Sequence, residues 1–214
     1  MQKSVSYWCF PGGMAGTKSL PEAMREALDA GYDAIEPAIG AEGVLTLETT
    51  RDEAEAIRAE ADRLGIGIAS VASGLYWGKN MGDPDPQLRE AAAEELARML
   101  RITAWLGADA LLTIPAAVDV FFNPDAPVVP YDTALERARA GIERVLPVAE
   151  EVGVALAIEN VWNKLFLSPV ELRDFIDSFD STLVGSYFDV GNVVPFGYPE
   201  QWVRILDHRI KRVH

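Results

Sequence analysis

Short apolar runs alternate with longer amphipathic ones along the chain, and this limits its possible folds more than any other feature. The apolar runs fall at 5–10, 33–37, 66–72, 109–115, 154–160, 183–190 and 210–214. The amphipathic runs fall at 21–31, 51–64, 86–106, 133–152, 169–179 and 199–207. A run such as VALAIEN (154–160) is apolar at odd and even positions alike. A strand with one wet face would alternate, whereas a parallel strand covered by helices on both faces does not. The order βαβαβαβαβαβαβ has no break in composition and no linker, so it reads as a single domain over residues 1–214.

Two architectures accept that order. A doubly wound open sheet normally carries a glycine-rich ligand turn at its switch point. Gly12, Gly13 and Gly16 follow the first run, but neither GxGxxG nor GxxxxGK[ST] occurs. The expectation is therefore an α/β (β/α)8 TIM barrel, incomplete in this chain, with about seven strands and six helices. A full barrel takes ~250 residues. Since 214 residues end in the seventh strand, the eighth unit, roughly 50–70 residues, is expected to be missing.

Helix boundaries carry their own signals. Ser19…Glu22, Thr50…Glu53, Thr133…Glu136 and Ser168…Glu171 have capping-box spacing, in which hydroxyl and carboxylate satisfy each other's free amides. Asp85-Pro86 and Ser168-Pro169 place proline at the first helical position. Gly31, Gly65, Gly107 and Gly153 stand where a left-handed stop would close each helix.

Composition removes several classes of function. With 33 acidic against 19 basic residues the net charge is −14, which repels phosphate backbones and anionic membranes. No nucleic-acid or membrane partner is expected. Cys9 is the sole cysteine, so neither an internal disulfide nor a cysteine zinc cluster can form. The start, MQKSVSYWCFPGG, lacks the apolar length of a signal peptide. The apolar stretch 104–122 is broken by Asp109, Pro115 and Asp119, so it is not read as a membrane span. The reading is a soluble cytoplasmic protein.

Active sites of (β/α) barrels lie at the C-terminal ends of the strands. The second strand ends in Glu36, the fifth in Glu159 and Asn160, the sixth in Asp189, and the seventh in His214. The last three come from consecutive strands about 4.8 Å apart, so two carboxylates and an imidazole can meet. That donor mix suits one divalent ion: Mn²⁺, Mg²⁺, Co²⁺ or Zn²⁺. Parity agrees, because Glu159 shares a strand face with the small residues Ala155 and Ala157, which suit a narrow lumen. The competing reading for each strand-end carboxylate is a helix N-cap or a solvated loop residue. Glu36 either binds substrate hydroxyls or pairs with a lysine. His208 belongs to a helix end and reads as a surface residue. The loops after the strands carry Trp8, Tyr76, Trp77, Phe121, Phe122, Trp162 and Phe196, aromatic faces that suit sugars or ordinary packing. The loop 115–132, with four prolines and no helical period, is expected to be a lid.

The segments ENVWNKLFLSPVELRDFID (159–177), SYFDVGNVVPFGYPEQW (186–202), IKRVH (210–214) and SVSYWCFPGG (4–13) resemble sugar phosphate isomerases/epimerases of the xylose-isomerase-like TIM-barrel superfamily. The branch they resemble holds hexulose-6-phosphate isomerase-like proteins and ketose 3-epimerases. That resemblance implies one divalent metal held by Glu, Asp, His and a second Glu from strands five to eight. Glu159, Asp189 and His214 match the first three. The fourth would lie on an eighth strand that the sequence does not contain. It also implies an enediolate mechanism on a ketose or ketose phosphate, with the two glutamates moving a proton on either side. Such a chain would have a small-molecule sugar partner and could form a homo-oligomer.

This chain departs from that pattern in two places. Asn192 stands where ketose 3-epimerases carry histidine, and Val161-Trp162-Asn163 stand where Asn-Arg is common. Trp8, Glu36, Trp77, Trp162, Asn163 and Asn192 remain the candidate substrate-binding residues. Lys79 and Lys164 are the loop cations that a phosphate could use. An inosose-type dehydratase and a catalytically incomplete sugar-binding fragment remain alternatives. The three-zinc endonucleases of the superfamily need many histidines, and only His208 and His214 exist here.

Overall fold

The helix starts show how closely local chemistry sets the elements. In the computed structural model, which describes residues 2–214, α1 spans Leu20–Asp29, α2 Arg51–Leu64, α3 Pro86–Trp105, α4 Tyr131–Val152, α5 Pro169–Asp177, α6 Val190–Val193 and α7 Pro199–Leu206. Thr50 forms a full capping box: its hydroxyl accepts from Glu53 N–H, and the Glu53 carboxylate accepts from Thr50 N–H at 2.8 Å. Ser19 and Ser168 make only the first of these two bonds. The Glu171 carboxylate reaches instead to Leu167 N–H and the Tyr131 hydroxyl. The expected Thr133 cap is absent, because α4 begins two residues earlier behind Pro130. Its first residue, Tyr131, uses its hydroxyl on Glu171, which ties α4 to α5. Gly31, Gly65, Gly107 and Gly153 all have positive φ, the left-handed stop their positions called for.

Seven staves follow the chain order, all parallel. They are β1 (Ser4–Ser6), β2 (Ala34–Glu36, resuming at Ala38–Ile39), β3 (Gly67–Ile68, resuming at Ala72–Ser73), β4 (Ala110–Thr113), β5 (Ala155–Glu159), β6 (Val184–Phe188) and β7 (Ile210–Val213). The break in β2 falls at Pro37, which has no N–H to donate. Registers run Ser6↔Glu36 between β1 and β2, Ile39↔Ser73 between β2 and β3, and Val71↔Leu111 between β3 and β4. They continue as Thr113↔Ile158, Glu159↔Tyr187 and Phe188↔Val213 through β7. Among the described residues β7 and β1 do not pair, so the barrel is open on one side. A cavity of about 390 Å³ lies in that seam, with Ser4 and Ser6 on one wall and Ile210–His214 on the other.

Two expected boundaries shift. The first run forms a strand only over Ser4–Ser6, and Tyr7–Cys9 turn into a single 3₁₀ turn that lifts Trp8 into the loop region. The sixth unit contains α6, a four-residue helix read from the sequence as loop. Packing then sets the barrel: every residue of β5 and β6 is buried, as strands covered on both faces require. Leu96, Met99, Leu100 and Ile102 of α3 and Ile142 and Val145 of α4 join them in one core. Each such side chain contributes about 1.5–3 kcal/mol of apolar burial. Arg212 of β7 donates to Ala69 O at 2.8 Å, satisfying a carbonyl at the break in β3. No helix of the described residues is long and apolar enough to cross a membrane.

Candidate metal centre

Three consecutive staves deliver the centre. Glu159 ends β5, Asp189 follows β6, and His214 follows β7. Backbone and side-chain bonds lace these ends together. His214 N–H donates to Phe188 O at 2.9 Å, and Val190 N–H donates to His214 O at 2.9 Å. Asn160 clamps Asp189 on both sides: its Nδ2 donates to Asp189 O at 2.8 Å and its Oδ1 accepts from Asp189 N–H at 2.9 Å. Asp189 in turn caps α6, with Oδ1 accepting from Asn192 N–H at 2.7 Å. One donor atom from each of Glu159, Asp189 and His214 lies within 4.8 Å of the other two.

The electrostatics of this end are lopsided toward negative charge. Glu36 is 2% exposed and Glu159 8% exposed. His214 lies between them, Nε2 at 3.1 Å from Glu36 Oε1 and Nδ1 at 3.3 Å from Glu159 Oε1. Burial pushes the His214 pKa down, but hydrogen bonds and charge from Glu159 and Glu36 prevail and raise it to about 10. Burial pushes Glu36 up, yet His214 and the hydroxyls of Tyr187 and Ser70 hold it below the ordinary carboxylate range. Glu159 is raised, first by burial and then by the nearby charges of Asp189 and Glu36, against the opposing pull of His214. Three carboxylates around one imidazole, two of them buried, make a site that binds positive charge. Two carboxylate oxygens and an imidazole nitrogen at these separations fit a divalent cation.

The other sequence candidates part company here. Trp8 and Trp77 line a cavity of about 530 Å³ walled by the loops after β1, β2 and β3. Its floor exists because Gly16 and Gly43 meet back to back at positive φ, where a Cβ on either would strike the other loop's backbone. Trp162 and Asn192 line a second, apolar pocket of about 240 Å³ beside Asn160. Trp162 Nε1 donates to Asn192 O at 3.1 Å, and Asn192 Nδ2 donates to Asn160 O at 3.0 Å. Edge-to-face contacts run Trp77–Phe122–Phe121–Trp162, with centroids 5.3, 5.1 and 6.0 Å apart. They carry the tip of the 115–132 loop across the space between these two cavities, while Phe121 and Phe122 stay 59% and 54% exposed.

Two candidates are engaged by protein partners. Asn163 is 1% exposed, its Nδ2 donating to Ala116 O at 2.8 Å and its Oδ1 accepting from Leu165 N–H at 3.0 Å. Its own carbonyl accepts from Val118 and Asp119. It therefore fastens the 115–132 loop and is buried away from solvent. Glu36 pairs with no lysine, and both its oxygens are engaged: Oε1 by His214, Oε2 by Ser70 at 2.8 Å and by the Tyr187 hydroxyl. The two loop cations are also neutralised, Lys79 by Glu95 at 2.6 Å and Lys164 by Asp119 at 2.5 Å. His208 is exposed, as read.

Three residues of the centre were not named as candidates. Tyr187 lies two residues before Asp189, so strand parity alone puts both on one face. Ser70 is the only hydroxyl in the run 66–72. Asn160 sits next to Glu159.

Comparison with known proteins decides the family. The family model described as xylose isomerase-like TIM barrel matches residues 24–214. The chain belongs to that family. No curated protein matches its sequence. As a xylose isomerase-like barrel it superposes over its whole length on a D-psicose 3-epimerase with TM-score 0.84 and 19% identity, covering 72% of that chain. An L-ribulose 3-epimerase gives 0.80 and 19%, with 69% of that chain covered. A 3-keto-D-glucoside 4-epimerase from E. coli gives 0.79 and 16%, with 78% covered. At these identities the likeness establishes the shared barrel, in which Glu159, Asp189 and His214 occupy the C-terminal rim.

Proposed function

We propose that this xylose isomerase-like chain carries the metal and proton-transfer site of a divalent-metal isomerase or epimerase of a ketose or ketose phosphate. The observation that carries the reading is the meeting of Glu159, Asp189 and His214 at three consecutive stave ends. These three would hold one Mn²⁺, Mg²⁺, Co²⁺ or Zn²⁺. Such an ion supplies positive charge beside a ketose carbonyl and its neighbouring hydroxyl, which acidifies the adjacent carbon.

Glu159 takes the proton from that carbon, leaving the sugar as an enediolate. Burial already raises its basicity above that of an exposed glutamate. Asp189, clamped by Asn160, keeps its carboxylate fixed during the transfer. Trp8, Trp77, Trp162 and Asn192 line the sugar's path, and the 115–132 loop closes over it to exclude water. The epimerase neighbours support the substrate class. The resemblance gives the opposite face of the sugar to a second glutamate outside these 214 residues. To this chain alone we assign proton exchange on Glu159's face, without net turnover.

The test is deuterium exchange. The chain, loaded with Mn²⁺ for assay and freed of it for NMR readout, is incubated with D-fructose or D-tagatose in heavy water. The expected result is metal-dependent loss of one C–H signal beside the carbonyl, abolished by Glu159→Gln with the fold intact. Loss of water from the sugar would favour the dehydratase reading. Sugar binding without exchange would favour a binding fragment. Either outcome, or exchange that persists in Glu159→Gln, refutes the proposal.

A further inference from the structure

We propose that Glu36 is a positioning residue of the metal centre: its carboxylate fixes His214 with Nε2 protonated, so that Nδ1 is the atom turned to the metal. The inference rests on the metal site proposed above and assigns a role to a residue outside its ligand set. Glu36 arrives from β2, far from β5–β7 in sequence, and its Oε1 lies 3.1 Å from His214 Nε2. A buried carboxylate offers only acceptors, so the nitrogen facing it must carry the hydrogen. Nδ1 faces Glu159 Oε1 at 3.3 Å and in the metal-free chain carries a hydrogen as well; it is this proton, on the side of the candidate ligand carboxylates, that a metal would displace. Nδ1 is the nitrogen on the side of Glu159, which clusters with Asp189 and His214, whereas Nε2 faces Glu36, which lies outside that cluster.

Glu36 is itself held. Ser70 donates to its Oε2 at 2.8 Å, and the Tyr187 hydroxyl reaches the same oxygen. The Tyr187 ring also packs on the His214 ring, centroids 4.4 Å apart. The imidazole is thus oriented at one nitrogen by Glu36 and on one face by Tyr187. With Oε1 on His214, Oε2 on Ser70 and Tyr187, and 2% exposure, Glu36 is committed to these contacts. A buried ion pair kept for stability alone is a weak bargain, because desolvation cancels much of its attraction. A carboxylate behind a ligating histidine has a specific use: it sets the tautomer, aims the ring and raises its basicity, and losing it typically weakens metal binding about 10–100-fold.

The experiment uses the whole 214-residue chain with Zn²⁺, which is diamagnetic. Only two histidines exist, so His208→Gln assigns the ¹⁵N spectrum without touching the centre. The expected spectrum of the Zn²⁺-loaded chain shows His214 with Nε2 protonated and Nδ1 metal-bound. By calorimetry, Glu36→Ala should weaken Zn²⁺ binding about 10–100-fold, with Glu36→Gln, whose amide oxygen can still accept from Nε2–H, falling between the two. The inference is overturned if Zn²⁺ sits on Nε2, or if Glu36→Ala binds Zn²⁺ as tightly as the parent chain. The spectrum of the parent chain decides the matter even where Glu36→Ala does not fold. Failure of the metal-site reading looks different: the parent chain itself would bind no Zn²⁺ at His214, which overturns both.

Discussion

Replacing Asn163 by alanine separates a fastening role from a sugar-binding one. The substitution removes two hydrogen bonds, to Ala116 O and from Leu165 N–H, and both backbone partners lie out of solvent. An orphaned buried polar group costs about 1–3 kcal/mol, so two orphans cost roughly 2–6 kcal/mol. Partial access of water to the small space left by the side chain brings the expected value to about 3 kcal/mol. Lys164 and Phe166 add to the effect, since both hold positive φ and depend on this turn to stay there. For a chain of this size 1 kcal/mol moves Tm by about 2–4 °C, so a fall of roughly 6–12 °C is expected. The assay is urea and thermal unfolding of metal-free protein followed by circular dichroism, with Zn²⁺ affinity measured in parallel. Affinity should stay within about twofold, because Asn163 touches none of the three ligands. A variant as stable as the parent but with weakened sugar affinity would refute the fastening role and return Asn163 to the substrate.

Further outcomes follow from the same geometry. The His214 pKa is raised from 6.5 to about 10 on folding. Its stabilising contribution is therefore complete below pH 6.5 and is lost as pH climbs through 10. Metal-free chain should melt at lower temperature at pH 10 than at pH 7, and His214→Gln should lose most of that dependence. Metal affinity should run the other way, rising with pH as the metal displaces the imidazole proton, a trend checked by calorimetry between pH 6 and 8. Asp189→Ala should empty the site of metal by elemental analysis, and should also cost about 1 kcal/mol in the metal-free chain through the lost α6 cap. Thr50→Ala, far from the site, should cost about 1 kcal/mol in urea unfolding with no change in metal content.

Much of the centre was legible because a barrel turns sequence order into angular order. Glu159, Asp189 and His214 end successive apolar runs, so spacing alone brought them to one rim. Tyr187 was within reach of the same parity argument. The bond from Glu36 to His214 was not, because β2 and β7 meet only through the lumen of the open barrel, and no local pattern encodes that contact. Asn163 was ambiguous for a different reason: an amide in the loop after β5 reads the same whether it faces a ligand or a backbone carbonyl and N–H of its own protein. Helix starts were readable where the capping groups lie within one turn, as at Thr50 and Glu53. They shifted where a tertiary bond intervened, as Tyr131 on Glu171 does at α4.

The open seam gives the three candidate ligands unequal mechanical footing. Glu159 stands on a stave paired on both sides, whereas His214 extends from β7, which among the described residues is paired only with β6, and irregularly at Ser186/Tyr187. Local opening of β7 is then the cheapest way to lose a ligand. An ion shared by Glu159, Asp189 and His214 would pin this edge from within, in place of a hydrogen-bonded neighbour. At free metal 100 times Kd the linkage is worth about 2.7 kcal/mol, a slowing of roughly 100-fold in amide exchange for openings that release His214. Mass-spectrometric exchange on a peptide covering 207–214 would report that protection, with peptides from β5 as the unchanged reference. Metal occupancy and the integrity of β7 would then be one equilibrium, read at either end.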